Sequence, residues 1–169
     1  MTRRFGDRAT FAVEIGAMSP PALRVVDVWA ADRRLTTDDN MVYVPSFSAY
    51  MWSDADRVRR RDVSPCPFHD RAPEEIFHLL HGNETGLREH FWFLQWSETL
   101  DNVSAYAYLD DELVILFQFW RARHPLPDDL GKVLVATIPP DEFVAIVREA
   151  VDLLDAGSSA GDLHKDSYP

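Results

Sequence analysis

Two periods alternate along the chain. Over residues 10–17, Phe11, Val13 and Ile15 alternate with Ala12, Glu14 and Gly16, the period of two that marks a half-buried strand. Gly6-Asp7 stands just before this stretch and predicts a turn leading into the strand. The prolines of MSPP, residues 18–21, cannot continue a ladder. Residues 22–32 are rich in β-branched side chains and predict a second strand returning antiparallel, with Asp27 on its wet face. Residues 33–40 are polar and turn-like, and residues 41–45 form a short strand candidate closed by Pro45.

The period then lengthens. Over residues 46–62, Ser46 can cap a helix that carries Phe47, Tyr50, Met51 and Val58 on one side. Three prolines within residues 64–73 predict a loop. Pro73, Glu74 and Glu75 predict the start of a short helix that stops at Gly82.

The centre of the chain predicts three strands, over residues 90–96, 103–109 and 112–122, with Asp110-Asp111 as a tight turn between the last two. On the third, Leu113, Ile115, Phe117 and Phe119 share the buried face. Val114 and Leu116 lie on the other face, so that side is expected to be covered too. Residues 132–138 predict a further strand.

Pro139, Pro140, Asp141 and Glu142 then open a helix. Its apolar stripe is Phe143, Ile146, Val147, Ala150, Val151 and Leu154, and Gly157 is its expected stop. Residues 158–169 lack periodicity and are expected to form a mobile tail. The fold class is α+β: an antiparallel sheet of about six strands, a long C-terminal helix packed on one face, and one or two short helices mid-chain, in a single domain over residues 1–157.

Length and composition fit this picture. A chain of 169 residues, 46% of them hydrophobic, suffices for one packed core. The single cysteine, Cys66, excludes an internal disulfide and points to a reducing compartment, the cytoplasm. The charged opening MTRRFGDRAT leads into no apolar run, so no signal peptide is expected. The apolar run Leu113–Trp120 is far shorter than the roughly 20 residues a membrane helix needs.

Charge narrows the function classes. The net charge is −11, and residues 100–169 hold 13 acids against 5 bases. Such a field repels nucleic acid and anionic membranes and attracts basic partners. The run Arg57, Arg59, Arg60 and Arg61 is expected to pair internally with neighbours such as Asp54 and Asp56. Neither nucleic acid nor membrane is expected as a partner.

Recognised catalytic patterns are absent: there is no G-x-S-x-G, no G-x-x-x-x-G-K-[ST] and no G-x-G-x-x-G. Cys66-x-x-His69 followed by His78-x-x-His81 has zinc-like spacing. The last pair sits on a short helix beside Leu79 and Leu80, however, and the expectation is no metal, no cofactor and no catalytic residue.

The acids Asp110, Asp111, Glu112, Asp128 and Asp129 flank an aromatic strand ending at Trp120. Aligned on one rim, they would form a partner-binding surface for a basic protein. Trp92, Trp96, Tyr106, Tyr108 and Trp120 form an exposed aromatic patch if the sheet is covered on one face, and core if a helix covers both.

Gly6-Asp7, Phe11-Ala12 with Glu14, and a second strand ending near Trp29 resemble the start of the immunity protein 42 family of bacterial polymorphic toxin systems. The E-F-V-x-I-V helix at Glu142–Val147 is similar to how such proteins close. The resemblance covers the N-terminal third and the last helix. It implies a non-catalytic inhibitor that binds a cognate toxin and blocks its active site; the chain itself is expected to be a monomer or homodimer. Two alternatives remain. One is a small enzyme or ligand-binding domain with a cavity lined by Glu14, Asp27, His90 and Gln95. The other is a structural or assembly subunit.

Overall fold

The computed structural model describes residues 1–162 of the chain. It is an α+β fold of two antiparallel sheets. The strands expected in one sheet of about six are divided between a five-stranded sheet A and a three-stranded sheet B. Sheet A holds β1 (Arg3–Asp7), β2 (Phe11–Ser19), β3 (Leu23–Ala30) and β4 (Arg33–Arg34) in that order, with β5 (Met41–Tyr43) also on β3. Sheet B holds β6 (Val103–Leu109), β7 (Leu113–Phe119) and β8 (Val133–Ile138).

The β2–β3 hairpin forms as its alternation predicts: Val13 faces Val28 and Ile15 faces Val26. The preceding turn is displaced. Gly6 and Asp7 lie inside β1, paired with Ala12 and Phe11, and the chain reverses over residues 8–10. Gly6 has φ +84°, and a Cβ there would strike the Phe11 carbonyl and approach Ile146 Cδ1 to 2.7 Å. Only glycine permits that backbone beside the C-terminal helix. Asp7 serves the turn, its Oδ1 accepting from the Ala9 N–H at 2.9 Å.

Helix α1 (Val44–Arg59) begins before the expected cap. Pro45 stands in its first turn instead of closing a strand, where its missing N–H costs nothing. Ser46 does not cap; its hydroxyl donates to the Tyr43 carbonyl at 3.3 Å. Phe47, Met51 and Val58 are buried as predicted, whereas Tyr50 faces outward. Helix α2 (Pro73–His81) matches its prediction.

Residues 90–96 do not form a strand. A 3₁₀ turn at Arg88–Phe91 leads into an irregular segment whose one ladder contact is a bridge from Trp92 to Tyr106. Phe91, Phe93, Leu94 and Trp96 are all buried, so the apolar content that suggested a strand reflects a packed loop.

Helix α3 (Pro140–Asp162) runs past its expected stop. Gly157 is a point of close approach: a Cβ there would meet Met18 Cε at 2.5 Å and Arg24 Nη1 at 2.8 Å. The expected mobile tail is thus helical to Asp162, and residues 163–169 lie outside the described residues.

One hydrophobic cluster joins the inner faces of both sheets to α1 and α3, from Phe5 to Leu154. Phe143 of α3 sits between Phe11 of β2 and Phe93, at ring distances of 4.9 and 5.5 Å. Leu113, Ile115, Phe117 and Phe119 all enter this cluster. On the outer face of sheet B, Leu116 is buried in a second cluster under Ile76, Phe77 and Leu80 of α2. Both faces of β7 are therefore covered, as its apolar run, interrupted only by Gln118, requires. Asn102 bridges the two halves, its Nδ2 donating to the Leu35 carbonyl at 2.9 Å and to Thr37 Oγ1 at 2.8 Å. No helix among the described residues is long and apolar enough to cross a membrane.

Candidate functional site: an aromatic groove beside β6

Phe47, Met51 and Val58 give α1 an apolar face, and Asp54 lies on that same face, where it is buried. Its Oδ2 accepts from the Leu94 N–H at 3.0 Å and from Trp96 Nε1 at 2.8 Å. Its Oδ1 accepts from Arg57 Nη1 at 3.2 Å, and the same nitrogen donates to the Trp92 carbonyl at 3.3 Å. Burial pushes the Asp54 carboxyl up from its ordinary value, while the bonds from Trp96 and Leu94 and the nearby Arg57 pull it back.

This carboxylate therefore holds the 92–97 segment in place. Leu94 has φ +60°, a left-handed backbone that costs a leucine on the order of 1–3 kcal/mol. Its N–H reaches Asp54 in that conformation, and its side chain is buried in the main cluster.

The segment forms one wall of an open groove of about 780 Å³ beside β6. Tyr50, Trp92 and Trp120 project at the groove with 58%, 38% and 54% of their surface exposed. Gln95, Ser104 and Asp101 supply polar groups. Asp101 is exposed and has no ion-pair partner among the described residues. A smaller recess of about 290 Å³ continues past Ser53, Arg57 and Glu89.

The neighbouring edge of β6 is occupied at two points. The Phe93 N–H donates to the Ala105 carbonyl at 3.3 Å, and the Leu109 N–H donates to the Ser64 carbonyl at 2.9 Å.

The acidic rim expected from the sequence does not assemble. Asp110, Asp111 and Glu112 form the connection from β6 into β7, whereas Trp120 follows the far end of β7. Seven strand residues separate them, about 24 Å at the usual rise. Groups that flank one strand in sequence stand at opposite ends of it. Asp128 is exposed on a 3₁₀ turn, and Asp129 is buried in an ion pair with Arg33. Of the six residues expected to bind a partner, only Trp120 lines the groove.

The arginine run pairs internally as expected, whereas the histidine cluster separates. Arg57 pairs with Asp54, Arg59 and Arg60 with Asp56, and Arg61 with Asp141. His81 Nδ1 lies 3.1 Å from the Tyr106 hydroxyl and its ring stacks on Phe77, while His78 faces Glu74. Neither histidine joins Cys66 and His69, whose nearest potential co-ligand is Asp110.

Glu14 and Asp27 stand opposite each other on the outer face of sheet A, and neither lines the recess that Gln95 enters. Arg8 donates to both Glu14 oxygens at 2.7 and 2.8 Å, which lowers the glutamate below its ordinary value, and its guanidinium lies 3.9 Å from the Trp29 ring centre. The five aromatic residues left open by the sequence divide. Trp96, Tyr106 and Tyr108 are buried, and Trp92 and Trp120 are exposed.

Sequence reasoning missed Asp54, Leu94, Tyr50 and Asp101. For Asp54 a signal existed: it falls on the spacing of Phe47, Met51 and Val58, an acid on the apolar stripe of a helix. Compared with protein-family models, curated proteins and solved structures, the chain matches none.

Proposed function

We propose that this is a non-catalytic binding protein that docks a basic protein partner at the aromatic groove, in the manner of a stoichiometric inhibitor. The observation that carries this reading is the convergence of Tyr50, Trp92 and Trp120, all exposed, on one groove whose wall is held in a strained backbone by a buried carboxylate. Large aromatic side chains at the centre of an interface carry much of its affinity. A wall fixed before binding lowers the ordering cost of association.

Charge supports the choice of a basic partner: the net charge is −11, and Asp101, with no ion-pair partner among the described residues, lines the groove. The resemblance to immunity proteins, carried by Gly6-Asp7, Glu14 and the Glu142–Val147 helix, agrees with an inhibitor. The acids Asp110, Asp111 and Glu112 would then act at a distance, raising the encounter rate without touching the bound segment.

The test is calorimetry against the product of the adjacent reading frame, with salt-dependent association rates measured alongside. Trp92→Ala and Trp120→Ala should each weaken binding at least tenfold while the protein stays folded, with the melting temperature of Trp120→Ala close to that of the wild type. Asp110→Asn with Asp111→Asn should slow association at low salt only. Unchanged affinity in the Trp92/Trp120 double variant would remove the groove from consideration.

A further inference from the structure

We propose that Cys66, His69 and Asp110 form a binding site for a single zinc ion or a similar late first-row divalent cation. The three ligand-capable atoms all lie within 4.8 Å of one another. A tetrahedral zinc ion with bonds of about 2.0–2.3 Å sets its ligand atoms roughly 3.3–3.8 Å apart. The remaining closure, about 1 Å, lies within the reach of small rotations of His69 and Asp110, both of which are exposed. Thiolate, imidazole and carboxylate together suit zinc and its neighbours over magnesium or calcium, which take oxygen ligands.

The backbone around these groups is already arranged. The Cys66 N–H donates to Asp110 Oδ1 at 3.1 Å, which orients the carboxylate and leaves Oδ2 for a cation. One residue earlier along the hairpin, the Leu109 N–H donates to the Ser64 carbonyl at 2.9 Å. The loop is thus stitched twice to the β6–β7 connection. Pro65 and Pro67 fix φ on either side of Cys66. The Arg71 N–H bonds the Phe68 carbonyl at 3.1 Å and closes the turn that carries His69.

Cys66 itself is buried, packed in the cluster that includes Tyr108 and Leu116, so the site has a closed side formed by the sulfur and an open side formed by the other two groups. Three protein ligands leave a fourth position for water or an exogenous donor. Asp111 and Glu112 follow directly and add negative potential at the open side. This ligand set differs from the two histidine pairs that the sequence suggests, because His78 and His81 are engaged elsewhere. The inference stands independently of the groove.

Cobalt(II) titration of the metal-free full-length protein tests it, followed by displacement with zinc. The expected result is one cobalt per chain, with intense tetrahedral visible bands and a thiolate charge-transfer band, both lost on adding zinc. Cys66→Ser should abolish the charge-transfer band. His69→Gln and Asp110→Asn should each weaken zinc at least tenfold, and the His78→Gln/His81→Gln double variant should bind as the wild type does. Zinc should also protect Cys66 from alkylation in the folded wild-type protein, a readout that needs no variant. Absence of the charge-transfer band, its survival in Cys66→Ser, wild-type zinc affinity in Asp110→Asn, or an alkylation rate unaltered by zinc would each overturn the proposal.

Discussion

On the outer face of sheet A, Glu14 and Asp27 stand opposite each other, and side chains from the same sheet and its loops satisfy them. Arg8 takes both oxygens of Glu14, and Thr36 and Asn40 donate to Asp27 at 2.9 and 3.1 Å. The outer side of sheet B is finished differently. Helix α2 covers Tyr106, Tyr108 and Leu116, while the groove exposes Ser104 and Trp120 beside a segment anchored from α1 by Asp54. Both regions contain a buried carboxylate. Glu14 is closed off by a cation lying over it, whereas Asp54 spends its hydrogen bonds on holding a neighbouring backbone. The first arrangement completes a surface, and the second builds one that can receive something.

The largest test of this contrast is Asp54→Ala. It strands the N–H groups of Leu94 and Trp96, and unfolding experiments should show a loss of about 3 kcal/mol. The 92–97 segment should also become accessible to proteases, while the residues around Arg8 stay protected. Uniform protection in the variant would mean that Asp54 does not hold the groove wall.

The two carboxylates should also differ in the sign of their pH dependence. Glu14 is held below its ordinary 4.5 by Arg8 first. Its contribution is therefore present above that pH and lost as the pH falls through the lower folded value. Asp54 is raised above its ordinary 3.8 by burial first. The stability linked to its protonation is present below 3.8 and lost as the pH rises through the higher folded value. Urea midpoints measured from about pH 3 to 6 should show Glu14→Gln flattening the acid-side loss. Over the same range, Asp54→Asn should gain on the wild type as pH rises. The same sign for both variants would contradict the contrast.

A smaller effect is expected at the first turn. Asp7→Ala removes the bond from the Ala9 N–H and should cost about 1 kcal/mol with no change in partner affinity. The smallest is the effect of Trp120→Ala on folding, expected below about 1 kcal/mol because more than half of that side chain already faces solvent.

Much of the fold was legible wherever burial followed one period. The alternation of Phe11, Val13 and Ile15, the double-sided run of β7 and the stripe of α3 each led to the right element. The sequence failed where apolar residues were buried without a period, as at Phe91–Trp96, and where two sheets shared one cluster and so resembled one sheet. Gly157 misled because a glycine can permit close helix–sheet contact as readily as it ends a helix.

The groove was less legible than the fold. Trp120 lines the groove, but of the acids grouped with it Asp110, Asp111 and Glu112 stand at the far end of β7, and Asp129 is taken up by Arg33. Tyr50 lies three residues after Phe47 and so reads as part of the same apolar side, yet it faces outward. Asp54 breaks the apolar stripe of α1, and that interruption was the sequence mark of the site.

The two bonds on the free side of β6, from Phe93 and Leu109, have a consequence for behaviour at high concentration. An outer strand with a long row of unused amides and carbonyls is a template on which further chains can stack into fibrils. Here two positions of the row are already taken, Ala105 by Phe93 and Leu109 by Ser64, so it is broken along its length. A foreign strand finds too few successive partners there to extend the sheet. The groove can thus expose tryptophans while the adjacent backbone resists end-on polymer growth.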